Sequence, residues 1–514
     1  MINLGDLVAR ARTTAGNKLA VRCGDAKLTW SEAHAGMQRM AGALRGLGLK
    51  HGDRVAMISG NSINAFKFLL AVPATGAIAV PINIRLTAPE ICELLLDSGA
   101  RILIVETAFL ELISGIRSAL PQVEHFLVDG PEAPAGFQRL EALPVVAAEG
   151  ESDWAADIDD VAMLLYTGGT TGRSKGVMLT HRGMITNVLQ WATAFDATVD
   201  EVVLVAAPMF HAVGAANSIS GAVFGNSTCL LPRFDPILFF ETVQNQRPTR
   251  TSLVPTMIEM LVTHPDIGRY DLTSLKVIGY GGSPIPMRTL ALARKALPGA
   301  RFYQAYGQTE GGPLVTILRP EDHTEENSRI RSAGQAVSAT LISIRDTQDR
   351  ALPAGENGEI CLRSPSIAPG YWQRPELLAE TQRGGWHRTG DVGYLDKDGF
   401  LFVVDRIKDM IVTGGENVYA AEVENALGAH PQVVGCAVIG VAHERLVEQV
   451  HAVVRIAEGA TVTADELIAF CRRTLAGYKC PRSIEFRREP FPMTPVGKVL
   501  KRELRKEYAE RKGA

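Results

Sequence analysis

Apolar and polar positions follow two rhythms along the chain, and the change between them divides it. Over residues 27–60 the order reads turn, helix, turn, strand. Thr29-Trp30-Ser31-Glu32 predicts a helix start, with Thr29 as N-cap and Glu32 reaching back to its amide. Ala33, Met37, Met40, Ala41, Leu44 and Leu47 recur at helical spacing. Gly48 and Gly52-Asp53 break that helix, and Val55-Ala56-Met57-Ile58 predicts a short buried strand. A helix opening near Ala88-Pro89-Glu90 and the apolar run Ile102–Val105 repeat the pair. The same alternation returns at Val202–Ala206, Thr251–Val254 and Lys276–Gly279. Helices alternating with apolar strands predict an α/β fold around a largely parallel sheet.

From about residue 331 the texture changes. Short alternating runs at Leu341–Ile344, Glu359–Leu362 and Phe400–Val404, set between Gly, Pro and Asp turns, predict a β-rich part. Beyond Arg406 come strand-like runs at Val433–Val438 and Val450–Val454 and a helix near Ala464–Leu475, as in a separate small α+β domain. The expected boundary lies at 405–408, giving a large domain over 1–405 and a small one over 406–514. No repeat or low-complexity tract interrupts either.

Composition narrows the class. The 514 residues are 46% hydrophobic, 6% aromatic and 21% charged, which is ordinary for a globular protein. Lys+Arg 53 against Asp+Glu 56 leaves −3, so there is no general attraction to nucleic acid, though a local basic patch stays open. Cysteines stand singly at 23, 92, 229, 361, 436, 471 and 480, without the spacing of a zinc site or a disulfide frame. Asp6 and Arg10 interrupt any signal-peptide core. The apolar stretch Phe68–Ile84 is broken by Pro73, Gly76 and Pro81, and is shorter than the roughly 20 residues of a membrane span. A cytoplasmic protein with no integral membrane segment is expected.

The strongest chemical signal is Tyr166-Thr167-Gly168-Gly169-Thr170-Thr171-Gly172-Arg173-Ser174-Lys175-Gly176, which follows the strand-like run Val161–Leu165. Glycines let the backbone curl around a ligand, and amides, threonine hydroxyls and a lysine can converge on phosphate oxygens. It is not a Walker A loop, because Arg173 and Ser174 separate Gly172 from Lys175. Further short motifs follow in order: Pro208-Met209-Phe210-His211, Tyr306-Gly307-Gln308-Thr309-Glu310, Thr389-Gly390-Asp391, Asp405-Arg406-Ile407-Lys408-Asp409, Gly414-Gly415-Glu416-Asn417 and Pro495-Val496-Gly497-Lys498. Each is weak alone. Together, in this order, they resemble the adenylate-forming superfamily over nearly the whole chain. That family includes acyl-CoA synthetases, aryl–CoA ligases, luciferases and peptide-synthetase adenylation domains.

The resemblance implies an ATP-dependent, AMP-forming carboxylic acid–CoA ligase. An acid oxygen attacks the α-phosphorus, pyrophosphate leaves, and coenzyme A then takes the acyl group. It implies phosphate contacts from Thr167, Gly168, Gly169, Thr170, Thr171, Gly172 and Lys175. Glu310 would bind Mg²⁺, with Thr309 near the α-phosphate. Tyr306, flanked by Ala305 and Gly307, would stack near the adenine, and Gly281-Gly282-Ser283 would pass beneath it. Asp391 and Arg406 would hold the ribose. Lys498 would bridge carboxylate and α-phosphate in adenylation, and Lys408 would be the hinge about which the small domain turns. Gly414, Gly415 and Glu416 would face coenzyme A in the second step. His211 would lie at the acyl tunnel and join Lys498, Glu310 and Thr309 in catalysis, adjusting its ring when the thiol enters.

The same resemblance puts acyl-pocket walls at His211, Val213, Gly214, Asn217, Tyr280, Gly282, Ala305, Pro313 and Leu314. These are mostly apolar, which favours a medium-chain fatty or aryl acid. Ala305 stands where many relatives have glycine, and one methyl there narrows the pocket. Arg250, beside an apolar strand, could read the second carboxylate of a malonate-like diacid or could cap a strand start. Gly168 and Ser174 replace a common Ser/Thr and Pro in the glycine loop, leaving Thr170, Thr171 and Lys175 in place. An enzyme loading an acyl carrier protein and a non-catalytic nucleotide sensor are the alternatives. A homodimer is left open as an assembly.

Overall fold

The structure is a computed structural model that describes residues 2–147, 156–167, 174–323, 328–493 and 499–512. Contacts divide the chain into two units, one of 1–341 with 362–387 and one of 342–361 with 388–514.

The first unit is α/β, as the alternation predicts. One of its sheets runs in the order Gln138–Arg139, His125–Asp129, Ile102–Glu106, Arg54–Ile58, Ile78–Ile82, Val161–Thr167 and Lys175–Thr180. All its neighbours are parallel except the last pair. A nine-stranded sheet has the parallel strands Leu19–Cys23, Ser227–Leu230, Val202–Val205, Arg250–Leu253, Val277–Gly281 and Arg301–Gln308 side by side. Antiparallel strands close both of its ends. The helix at Trp30–Gly46 starts as predicted. Thr29 Oγ1 accepts from the Glu32 amide, and the Glu32 carboxylate accepts from the Thr29 amide. Trp30, Met37 and Leu44 on its inner face are fully buried with Phe66, Phe68 and Leu69.

The second unit contains most of the strand Trp386–Leu395 and its antiparallel partner Leu401–Arg406. Farther along, Val433–His443 and Val447–Ile456 form a long antiparallel pair, with Ser483–Phe486 parallel to the latter. The helices Ala420–Gly428 and Ala464–Cys471 bury Val423, Leu427 and Leu467 in this unit's own core. The division differs from the expected boundary at 405–408, because the β-rich residues go with the C-terminal part. Arg388 pairs with Asp349 and Glu359, and the Ala421 amide donates to Asp405 Oδ2 at 3.1 Å. The Arg388 pairs tie the β-rich segment together, and the Ala421 bond joins it to the chain beyond. All seven cysteines are free thiols. No helix among the described residues is long and apolar enough to cross a membrane.

Candidate active site

The glycine loop joins two antiparallel strands, Val161–Thr167 and Lys175–Thr180, with Thr167 opposite Lys175. Residues 168–173 lie outside the described residues, and with them the expected contacts of Gly168, Gly169, Thr170, Thr171 and Gly172. The base of the hairpin is anchored. Tyr166 Oη donates to Asp97 Oδ2 at 2.7 Å, and Arg374 Nη2 donates to the other oxygen of that carboxylate at 2.7 Å.

The motif containing Glu310 meets this hairpin. Thr167 Oγ1 stands 3.5 Å from Glu310 Oε1, and Tyr371 Oη donates to the same oxygen at 3.1 Å. Lys175 Nζ lies 5.4 Å from the centre of the Tyr371 ring. A hydroxyl and an ammonium from the hairpin and a carboxylate 143 residues beyond Thr167 therefore gather around Tyr371. Glu310 Oε2 accepts no hydrogen bond among the described residues. Such a hard oxygen donor suits Mg²⁺, which typically takes one or two carboxylates and completes its shell with substrate phosphates and water. Just before this turn, Gln308 Nε2 is 2.8 Å from Nε2 of the buried His387.

Two neighbouring parallel strands bring together the residues assigned to the base. Gly281 pairs with Ala305. A Cβ at Gly281 would lie 2.2 Å from the Ala305 carbonyl oxygen, so no larger residue fits that approach. Tyr306 lies opposite Thr316 on the next strand, and Gly307 follows before the Thr309-Glu310 turn. Gly282 is exposed and Ser283 partly buried just past the strand end.

The expected acyl walls fall into different places. His211 is the N-cap of the helix Ala212–Phe224, and its ring packs edge-on to Phe210 at 4.7 Å. Burial, reinforced by nearby Arg85, pushes its pKa down to about 4, so the ring is neutral at pH 7. On the same helix Val213 is exposed, whereas Gly214 and Asn217 are buried. Asn217 Nδ2 is buried without a hydrogen-bond partner among the described residues. Pro313 lines a cavity of about 20 Å³ with Met184, Asn187, Ala212, Ala216 and Ser366, among others. Tyr280 and Leu314 instead belong to packed cores. Tyr280 Oη bonds His323 Nε2 at 2.9 Å, and Leu314 packs with Phe195 and Val277.

Arg250 does not face an open site. It starts its strand, is buried, and donates to Glu201 Oε1 at 2.6 Å and to the Phe195 carbonyl at 3.1 Å. Its guanidinium also lies over the rings of Trp191 and Phe195. The chain's own carboxylate already answers this charge, so the diacid reading loses its basis. Because Glu201 is 49 residues away, spacing could not reveal the pair.

In the second unit, Asp391 and Arg406 stand opposite each other in a hairpin, with Arg406 Nε 3.1 Å from Asp391 Oδ1. Asp391 is buried and Arg406 exposed. Lys408 is exposed in the short turn Ile407–Asp409. Gly414 and Gly415 link Ile411–Thr413 to Glu416–Val418 as a two-residue hairpin, with φ of +61° and +87°. A tight turn with both central residues left-handed explains the glycine pair on its own. Lys498 lies outside the described residues.

Tyr371 is the site residue that the motifs did not reveal. Gly370-Tyr371-Trp372 carries no charge and no spacing that marks chemistry. Its signal is spatial, because Trp372 N–H donates to the Gly176 carbonyl at 2.7 Å beside the glycine loop.

Comparison with known proteins accords with this arrangement. The AMP-binding enzyme family matches residues 7–372, and the AMP-binding enzyme C-terminal domain matches 422–498. A feruloyl-CoA synthase from Amycolatopsis sp is 39% identical, over 98% of this chain and 99% of that protein. The fatty acid–[acyl-carrier-protein] ligase ScoC from Streptomyces coeruleorubidus is 36% identical, over 95% of this chain and 93% of its own. The structure of an amide bond synthetase mutant from Marinactinospora thermotolerans superposes with a TM-score of 0.89 at 28% identity, covering 99% of this chain and 100% of that one. The chain belongs to the AMP-binding enzyme family of the adenylate-forming superfamily.

Proposed function

We propose that this chain, an ATP-dependent, AMP-forming carboxylic acid–CoA ligase, acts on an aryl or medium-chain fatty acid. The observation that carries the site reading is the convergence of Thr167, Lys175 and Glu310 beside the glycine hairpin. The small, mainly apolar cavity beside Pro313 and Ala212, and the likeness to a feruloyl-CoA synthase, support a flat apolar acyl group.

In the first step a carboxylate oxygen bonds to the α-phosphorus and the bond to pyrophosphate breaks. Charge spreads over the phosphoryl oxygens, so positioned cations and amide dipoles lower the barrier. The glycine loop with Thr167 and Lys175 holds the phosphates. Glu310 holds magnesium, which when bound screens the charge on the phosphate oxygens, and Thr309 lies near the α-phosphate. Gly281–Ser283 and Ala305–Gly307 take the adenine, while Asp391 and Arg406 take the ribose. Lys498 neutralises two anions that otherwise repel. In the second step the coenzyme A sulfur bonds to the acyl carbon and AMP leaves. Lys408 serves as the hinge between the steps, Gly414–Glu416 face the thiol cofactor, and neutral His211 borders the acyl group.

A second reading, transfer to an acyl carrier protein, is favoured by the likeness to ScoC. An acceptor test separates the two. With ATP, magnesium and a panel of aryl and fatty acids, coenzyme A should give AMP and thioester in equal amounts. Transfer only to a carrier protein would replace the CoA reading, and no pyrophosphate release with any acid would contradict both.

A further inference from the structure

The phosphate and metal assignments leave one hydroxyl without a role. Tyr371 Oη donates to Glu310 Oε1, and the phenol is partly buried. A phenol is protonated at neutral pH, so this hydroxyl is the donor and the carboxylate the acceptor. The backbone that carries it is held on two sides. Met178 N–H donates to the Gly370 carbonyl at 3.0 Å, and Trp372 N–H donates to the Gly176 carbonyl at 2.7 Å. Val177 and Tyr371 form a single antiparallel bridge. On the other side Ala368 N–H donates to the Glu310 carbonyl at 2.8 Å, and Ser366 Oγ to the Gly311 carbonyl at 3.4 Å. The segment 366–372 thus ties the strand after the glycine loop to the turn that carries Glu310.

We propose that Tyr371 is a positioning residue for magnesium binding, its hydroxyl fixing one oxygen of Glu310 so that the other is presented to the cation. A carboxylate has two rotatable bonds beyond Cβ and samples several directions unless one oxygen is held. Thr167, at 3.5 Å, restrains it only weakly. Groups that orient a metal ligand typically cost 10–100-fold in metal affinity or activity when removed. The inference rests on the proposed role of Glu310 as the magnesium ligand.

Tyr371→Phe keeps the ring, its bridge and its approach to Lys175, and deletes only the hydroxyl. With ATP and acid saturating, the magnesium concentration for half-maximal pyrophosphate release should rise roughly tenfold. The KM for the acid should stay at the wild-type value, as should thioester formation from supplied acyl-adenylate. Glu310→Gln is the companion variant. If it is impaired while Tyr371→Phe keeps the wild-type magnesium requirement, the inference falls and the Glu310 reading stands. If Glu310→Gln itself keeps that requirement, both fall. A Tyr371→Phe protein whose acid KM and magnesium requirement rise together, with a lowered Tm, has lost packing rather than a positioned ligand, and this also overturns the inference.

Discussion

Asp391 shows how much a single site residue owes to its setting. Its carboxylate is buried but faces Arg406 across a hairpin at 3.1 Å, with Thr389 Oγ1 accepting from its amide at 3.0 Å. A short, fixed acceptor suits a vicinal diol. Hydrogen bonds to a charged group are worth about 1.5–3 kcal/mol each, so Asp391→Ala should raise the KM for ATP roughly tenfold or more. The acid KM should not move, and initial rates against each substrate check this. Asp391, Thr309 and Glu310 stand out in the sequence because each sits in a short motif with a fixed neighbour. The roles of Tyr371, Arg250 and Tyr280 do not, for a common physical reason. They depend on partners 61, 49 and 43 residues away, which neither periodicity nor local spacing encodes.

Elements were read more reliably than their pairings. The strand expected at Val55–Ile58 occurs at Arg54–Ile58, and the helix expected near Ala88 occurs at Ala88–Ser98, because burial period and capping are local properties. The helix expected over 464–475 ends at Cys471, where the amides of Arg473 and Thr474 turn back to Phe470 and Cys471. The placing of Leu19–Cys23 beside Ser227–Leu230 was not legible, since contacts across about two hundred residues are set by packing. At this scale two glycines are constrained for different physical reasons. Gly281→Ala sets a methyl 2.2 Å from a neighbouring strand's carbonyl and should cost about 1–3 kcal/mol with a lowered Tm. A Cβ at Gly415 meets nothing within 4 Å, so Gly415→Ala should cost only the left-handed penalty of roughly 1–2 kcal/mol. Denaturant midpoints should fall for both variants, while initial rates should show a lowered kcat/KM for ATP in Gly281→Ala and, from the proposed coenzyme A contact, a raised KM for coenzyme A in Gly415→Ala.

Across the whole molecule, buried histidines set an acid limit. Burial pushes His181, His211, His323, His387 and His451 down to about 4. Unfolded, each titrates near 6.5, so between about pH 6.5 and pH 4 the unfolded chain binds more protons and stability falls as pH drops. Each histidine contributes up to about 1.4 kcal/mol per pH unit inside that window. The buried carboxylates Asp129, Glu201, Asp405 and Glu424, whose pKa values burial raises, act in the opposite sense. Tm should therefore drop between pH 7 and about pH 5.5, in the upper part of the window, and a flat Tm there would contradict the histidine assignment. The proposed role of Lys498 is to neutralise charge in the adenylation step and not in thioester formation. It is tested most directly by splitting the two half-reactions in Lys498→Ala. Pyrophosphate release should fall by orders of magnitude while supplied acyl-adenylate is still converted to thioester at close to the wild-type rate; equal loss of both steps would contradict the account.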